Sequence, residues 1–336
     1  MIKKLIGVRN HSLQIFINWQ RLEVRGKRVD TLLVFECRVY YTLMPVSQLL
    51  SKTDVKKCLP TLSNISNLNT GGQKQVFKAH IGSETVAVKF VQIEVNGNNI
   101  IDETALDRVL REIKIINSLN SANLPKTCSV IPGFFRTNNA AYYYYGEKFI
   151  NGYSVSQLIT ARRISYREAK QMLVDVTTAI KFLWESDEHI VHRDIKPSNI
   201  VYSNDDGVYV LIDAGLALAM HDVSLTPTGM VVGTLSYMSP EQIKGKKREL
   251  DFRSDLYSLG VTVYQAITQK HPYCQMRMSD SELQKAILFT KPTRLETFGL
   301  SGFPAGFLSI IETLLNKRPH QRFNSCDKLL GGISVL

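Results

Sequence analysis

Eight residues from His192 to Asn199, reading His-Arg-Asp-Ile-Lys-Pro-Ser-Asn, are followed by a β-prone apolar run, Val208 to Ile212, that ends on Asp213-Ala214-Gly215. Two carboxylates, an ammonium and a carboxamide thus fall within about twenty residues of one another, with an apolar strand to hold them rigid. The inventory suits phosphate and metal. A phosphoryl transfer needs a hydroxyl nucleophile oriented, Mg²⁺ held against a triphosphate, and the charge on the transferred group neutralised. Asp194 suits the first task, Asp213 with Asn199 the second, and Lys196 the third. The plain alternative is a polar loop beside a strand, since an Asp-x-Gly after a strand is common by itself.

Elements that could position such a site are legible upstream. Asn69-Thr70-Gly71-Gly72-Gln73-Lys74-Gln75-Val76-Phe77-Lys78-Ala79, a turn at Gly82-Ser83 and Thr85-Val86-Ala87-Val88-Lys89 read as hairpin strands around a glycine-bearing turn. Glycines at a tip, Gly71 and Gly72 here, let backbone N–H groups approach a phosphate because no Cβ intervenes. Lys89 ends an apolar strand as a residue pointing into a cleft would. Leu106, Val109, Leu110, Ile113 and Ile116 have helical spacing that leaves Glu112 available to the same cleft. Tyr142 to Tyr145 reads as a strand packing both faces, and Leu158 to Trp184 as two helices with Met172, Leu173, Val176, Ile180 and Leu183 inward.

Composition narrows the classes. A chain of 336 residues accommodates a two-lobed domain and a short appendage. Of the formal net charge of +11, residues 1–43 alone contribute +5, with eight Lys/Arg against three Asp/Glu. The remainder is spread without long runs, which reads as a solvated surface rather than a nucleic-acid stripe or a membrane patch. Five cysteines, Cys37, Cys58, Cys128, Cys274 and Cys326, are odd in number, far apart and without a Cys-x-x-Cys pair, so reduced thiols in a cytoplasmic protein are expected. No apolar run reaches the ~20 residues of a spanning helix. Thr31 to Leu43 is interrupted by Glu36 and Arg38, and Arg9-Asn10-His11 stand where a signal peptide would be apolar. Residues 1–43 carry short β-prone runs. They read either as a small strand-rich accessory segment or as an extension upstream of a start at Met44, which the intact mass of the natively expressed protein distinguishes.

The string His192–Asn199 resembles the catalytic loop of eukaryotic-like serine/threonine protein kinases. The other motifs of that family follow in its order: a glycine loop, Val86-Ala87-Val88-Lys89, a helix with Glu112, the catalytic loop, Asp213, and Ser239-Pro240-Glu241 in place of Ala-Pro-Glu. The resemblance covers about residues 62–334. It implies an α+β, two-lobed protein-kinase-like fold: a small β-rich N-lobe with one main helix over 62–150, after a lead-in at 44–61, and a larger helical C-lobe over 151–334. It further implies ATP and Mg²⁺ as cofactors, with Asp194 and Lys196 catalytic and Asn199 and Asp213 on the metal. Gly71, Gly72, Val76, Ala87, Lys89, Glu112, Lys148 and Ile150 would surround the nucleotide, Lys148 and Ile150 in the linker between lobes. Glu241 is expected to pair with Arg322, and Asp255 to brace the catalytic-loop backbone. Lys196 and Thr234 follow the serine/threonine pattern, so the partner implied is a protein substrate rather than nucleic acid or membrane. Arg193 would meet a phosphate on the activation segment, at Thr226 or Thr228 among Ser224, Thr226, Thr228 and Thr234, added in trans by transient self-association.

Besides Ser239, four positions depart from the family pattern. Asn69 and Lys74 replace the first and third glycines of the loop, and Lys74 offers charge to a phosphate. Ala214 replaces a Phe beneath the helix of Glu112, and Glu147 falls on the usually apolar or small residue guarding the back pocket. A pseudokinase scaffold is the alternative that the altered loop and Ala214 favour and the intact Lys89, Glu112, Asp194, Asn199 and Asp213 oppose. A small-molecule kinase of the aminoglycoside type lacks the Ser239-Pro240-Glu241 segment, and a nucleic-acid binder rests on charge alone.

Overall fold

The computed structural model describes residues 23–24, 27–28, 49–70, 74–95, 100–101, 106, 109–110, 113–114, 117, 120–137, 140–187, 189–213, 235–245, 250–274 and 278–336. The chain divides into two units, Met1–Met44 and Pro45–Leu336. In the first, strand β1 (Glu23–Val24) pairs antiparallel with β2 (Lys27–Arg28).

The second unit opens on helix α1 (Lys52–Cys58). Ser51 and Asp54 cap it reciprocally, and Val55 is its buried anchor. A five-stranded antiparallel sheet follows from β3 (Ser63–Thr70), β4 (Lys74–Ile81), β5 (Glu84–Gln92), β8 (Gly133–Arg136) and β9 (Ala141–Lys148), in the order β3-β4-β5-β9-β8. Between β5 and β8 lie a short ladder, β6 (Glu94–Val95) with β7 (Ile100–Ile101), and helical residues among 106–117. The predicted hairpin is β4–β5, with Gly82 at φ +57° in its turn, a conformation glycine takes without strain. One face of the sheet buries Phe77, Ala79, Val86, Val88, Phe90 and Tyr142 in a core shared with Val55 and Leu62. The tyrosine strand packs both faces as expected, for Tyr142 and Tyr145 are buried and belong to different clusters.

The larger lobe is helical around a second core. Helices α2 (Val155–Ala161) and α3 (Tyr166–Trp184) are the two predicted within Leu158–Trp184, each begun by a serine capping box. α3 buries Ala169, Met172, Leu173, Val176, Ile180 and Leu183 at the i, i+3, i+4 spacing that turns one stripe inward. It packs on α5 (Phe252–Thr268), a helix buried on nearly all sides and therefore central. Gly260 of α5 lies so close to α7 (Ala305–Leu314) that a Cβ there would stand 2.7 Å from Leu314 Cβ. Helices α4 (Pro240–Ile243), α6 (Asp280–Phe289) and α8 (Cys326–Ser334) complete the lobe. A small antiparallel sheet has the order β10 (Gly152–Ser154), β11 (Ile200–Ser203) and β12 (Tyr209–Leu211), and its last two strands join Asn199 to Asp213. No helix among the described residues is long and apolar enough to cross a membrane.

Candidate active site

Backbone geometry aims Asp194. After α3 the chain passes through buried Val191 and His192 into a turn where Arg193 has φ +64°, a left-handed conformation that costs a non-glycine residue about 1–2 kcal/mol. Asp255, buried on α5, accepts the His192 N–H at Oδ2 and the Arg193 N–H at Oδ1, both at 2.7 Å. Hydrogen bonds to an ionised group contribute about 1.5–3 kcal/mol each, enough to outweigh the strained turn. The side chain of Gln242 donates to Arg193 O at 3.0 Å and fixes the turn from the side of α4. Burial pushes the Asp255 carboxyl up to about 6, against the two N–H donors that favour its charged form.

Within that turn Asp194, Lys196 and Asn199 come together. Lys196 Nζ lies 2.9 Å from both Asp194 carboxylate oxygens. Asn199 Nδ2 donates to the Asp194 main-chain oxygen and to Oδ2, each at 2.9 Å. The Asp194 N–H reaches His192 Nδ1 at 3.3 Å, while His192 Nε2 stands 3.1 Å from Ile212 O, an arrangement that fits a proton on Nε2. The ring thereby joins the loop to the residue before Asp213, and Ile212 N–H donates to Asn199 O at 2.9 Å. The Asp194 and Lys196 side chains remain 23% and 21% exposed, so a solvent-borne group can reach them.

Asp213 follows β12 with φ +65°, a second non-glycine residue in the left-handed region. Its Oδ1 lies 2.8 Å from Lys89 Nζ and 2.7 Å from Lys74 Nζ. Burial would raise this carboxyl, but the charges of Lys74 and Lys89 outweigh it and hold the group well below the usual carboxylate range. Lys89 Nζ is also 2.5 Å from Glu147 Oε1, and both residues are buried. Register explains the convergence. Lys74 pairs with Val91, Val76 with Lys89, and Lys78 with Ala87; across β5, Lys89 pairs with Tyr145 and Ala87 with Glu147. Residues directly opposite, and those two apart, share one face of a sheet. Lys74, Val76, Ala87, Lys89, Tyr145 and Glu147 therefore project to the same side, with Val76 and Ala87 only half-buried there.

Among the linker residues, Lys148 is exposed and Ile150 half-buried. The Lys148 N–H donates to Lys126 O at 2.9 Å and the Phe149 N–H to Thr85 O at 3.0 Å, so neither donor is free for a base. The reading of Lys148 thus narrows to its carbonyl. Gly71, Gly72, Glu112, Ala214, Ser224, Thr226, Thr228 and Thr234 lie outside the described residues. Behind the loop, Ser239 caps α4 and Glu241 pairs with Arg322, at 2.6 Å from NH1 to Oε1 and 3.0 Å from NH2 to Oε2. Ser254 Oγ donates to the same carboxylate at 2.7 Å.

Two contacts were not read from the sequence. Lys74 meets Asp213 rather than open cleft, and Glu147 meets Lys89. The signal for the second was present: the strand's single carboxylate, two residues beyond Tyr145, must share the face of Tyr145.

Residues 62–331 match the family model for the protein kinase domain. Curated relatives are similar over most of the chain. The serine/threonine-protein kinase A of Synechocystis is 28% identical over 281 residues, covering 80% of this chain and 52% of the relative. A probable serine/threonine-protein kinase PknB of Corynebacterium glutamicum is 32% identical over 282 residues, 80% and 41% respectively. The serine/threonine-protein kinase PknA of Mycobacterium tuberculosis is 31% identical over 276 residues, 76% and 56%. The chain thus spans about half the length of these relatives.

Proposed function

The chain belongs to the protein kinase family, and on that premise we propose that it transfers the γ-phosphoryl group of ATP to serine and threonine hydroxyls of a protein substrate. The observation that carries this reading is the meeting of Lys89 and Asp213, 124 residues apart, on a cleft face continuous with a loop that gathers Asp194, Lys196 and Asn199. Asp194 orients the substrate hydroxyl and accepts its proton. Lys196, already against both oxygens of Asp194, holds that carboxylate in place and neutralises charge on the group in transit. Lys89 takes the α- and β-phosphates, and Val76 and Ala87 cover the adenine, with the Lys148 carbonyl and Ile150 at its edge.

The donor set fits Mg²⁺. One ionised carboxylate, Asp213, and one carboxamide oxygen, on Asn199, are the hard oxygen ligands that Mg²⁺ takes when phosphates supply the rest. Two ammonium groups within 2.8 Å of Asp213 Oδ1 mark it as a place where positive charge collects. Asn199 presents its oxygen because Asp194 has claimed its nitrogen. When bound, Mg²⁺ would neutralise the phosphates and polarise the transferred group. Gly71, Gly72 and Glu112 are assigned to the nucleotide by family correspondence. Phosphorylation of Thr226 or Thr228 in trans remains part of the proposal, with mass spectrometry of active and phosphatase-treated protein as its check.

Incubation with labelled ATP, Mg²⁺ and a generic basic protein tests the assignment beside an Asp194→Asn control. Label on serine or threonine, lost by about 10²-fold or more in the control, is expected from removal of a positioned base. No transfer by the wild-type chain, or equal transfer by both, overturns it.

A further inference from the structure

Glu147 stands on β9, one strand away from Lys89 on β5, and the register places the two diagonally on the cleft face of the sheet. Its Oε1 is 2.5 Å from Lys89 Nζ, and the two residues are 4% and 3% exposed. A carboxylate and an ammonium that far from water are tolerated only as partners, because either left alone would forfeit its hydration without replacement. Tyr145, directly across from Lys89 and sharing the face, puts its ring 5.5 Å from the same ammonium. Lys89 is therefore gripped from inside its own sheet, by a neighbour whose distance is set by backbone hydrogen bonds.

We propose that Glu147 is a positioning residue for nucleotide phosphates: it holds Lys89 at the height where the ammonium can meet both Asp213 and the phosphate chain of ATP. This rests on the kinase reading above. Lys89 Nζ already bridges Glu147 Oε1 and Asp213 Oδ1, at 2.5 and 2.8 Å, so both carboxylates hold it. Phosphates arriving with their own cation can take over the Asp213 side, whereas Glu147, immobile in the strand, keeps its hold. An apolar residue there would remove that hold from the ammonium. The anchor acts on the phosphate end of the ligand only, so its loss must be felt by ATP and not by adenosine.

The test is calorimetry of the full chain with Mg-ATP and with adenosine, and steady-state kinetics, for wild type, Glu147→Gln, Glu147→Met, Lys89→Met and the double variant Glu147→Gln/Lys89→Met. Both Glu147 variants should weaken ATP by about fivefold or more while adenosine changes by less than about twofold. The kinetic loss should appear mainly in KM for ATP, with a smaller fall in kcat. The double variant should be no worse than Lys89→Met, because the carboxylate acts through the lysine. ATP binding unchanged in both Glu147 variants overturns the proposal, as does equal weakening of ATP and adenosine, which would mark a merely structural residue. Glu147→Met refills the buried volume without charge and covers the case in which the glutamine variant does not fold. A wild-type chain that binds adenosine but not Mg-ATP, or neither, overturns the kinase reading itself, a result distinct from a wild type that binds ATP with indifferent variants.

Discussion

Removing either partner of the Glu241–Arg322 bridge should destabilise the protein, but only the loss of Arg322 should do so in a pH-dependent way. Both side chains are almost wholly buried, and the guanidinium also donates to Asn316 O and Arg253 O, each at 2.8 Å. Breaking one partner of such a pair costs about 3–5 kcal/mol. Burial pushes the Glu241 carboxyl up, but the hydrogen bonds and charge of Arg322 more than reverse this, so it titrates below its ordinary value. A depressed carboxylate contributes stability that is present above its unfolded pKa and lost as pH falls through the folded one. In Arg322→Met the reversing force is gone, so burial holds this carboxyl above its ordinary value, and the folded state takes up the proton at higher pH than the unfolded chain does. The deficit of Arg322→Met relative to wild type should therefore shrink as pH falls from about 7 to about 5. Glu241→Gln strands a guanidinium that cannot lose its proton, so its deficit should stay flat. Urea unfolding of the three proteins at both pH values measures this. An Arg322→Met deficit that stays constant, or a Glu241→Gln deficit that moves as much, would refute the reasoning.

Two further outcomes are expected. Lys74→Ala removes one of the two ammonium groups on Asp213, so a divalent cation meets less competition there; half-saturating Mg²⁺ should fall about threefold to tenfold, and a rise would count against the contact. Lys317 buries an ammonium that has no hydrogen-bond partner among the described residues, 3.7 Å from the centroid of the Tyr273 ring. Burial, with some help from the charge of Arg322, lowers its pKa to about 7 from an ordinary 10.5. The unfolded chain then holds more protons between those values, so wild-type stability should climb as pH rises through that window. Lys317→Met should raise stability at neutral pH by about 1–3 kcal/mol and abolish the climb in urea titrations, less whatever the tyrosine face returned to the cation.

Residues close in sequence were the most legible. Asp194, Lys196 and Asn199 lie within six positions, and a tight turn leaves few ways to arrange them. The β4–β5 hairpin and helix α3 were readable because alternation and helical spacing are local properties. Lys89 with Asp213, and Glu241 with Arg322, were reached only through resemblance, since nothing local says which distant charges meet. The lysine contacts escaped for the same reason. Lys74 reads as a lost glycine until register turns it toward Asp213, and Lys317 reads as one more surface cation before Arg318-Pro319 until Tyr273 covers it. Glu147 sat in the text as a gate, whereas its partner is set by the order of strands β5 and β9, which is a property of topology.

Asp255 has a mechanical meaning beyond its two acceptor bonds. It rivets the turn that bears the reactive carboxylate to a helix enclosed by the rest of the lobe, so turn and helix form one stiff girder. Any opening or closing of the cleft must then be accommodated on the opposite bank, by the sheet that carries Lys89. Deuterium should accordingly enter the His192 and Arg193 amides as slowly as it enters the middle of that helix, although both belong to a loop.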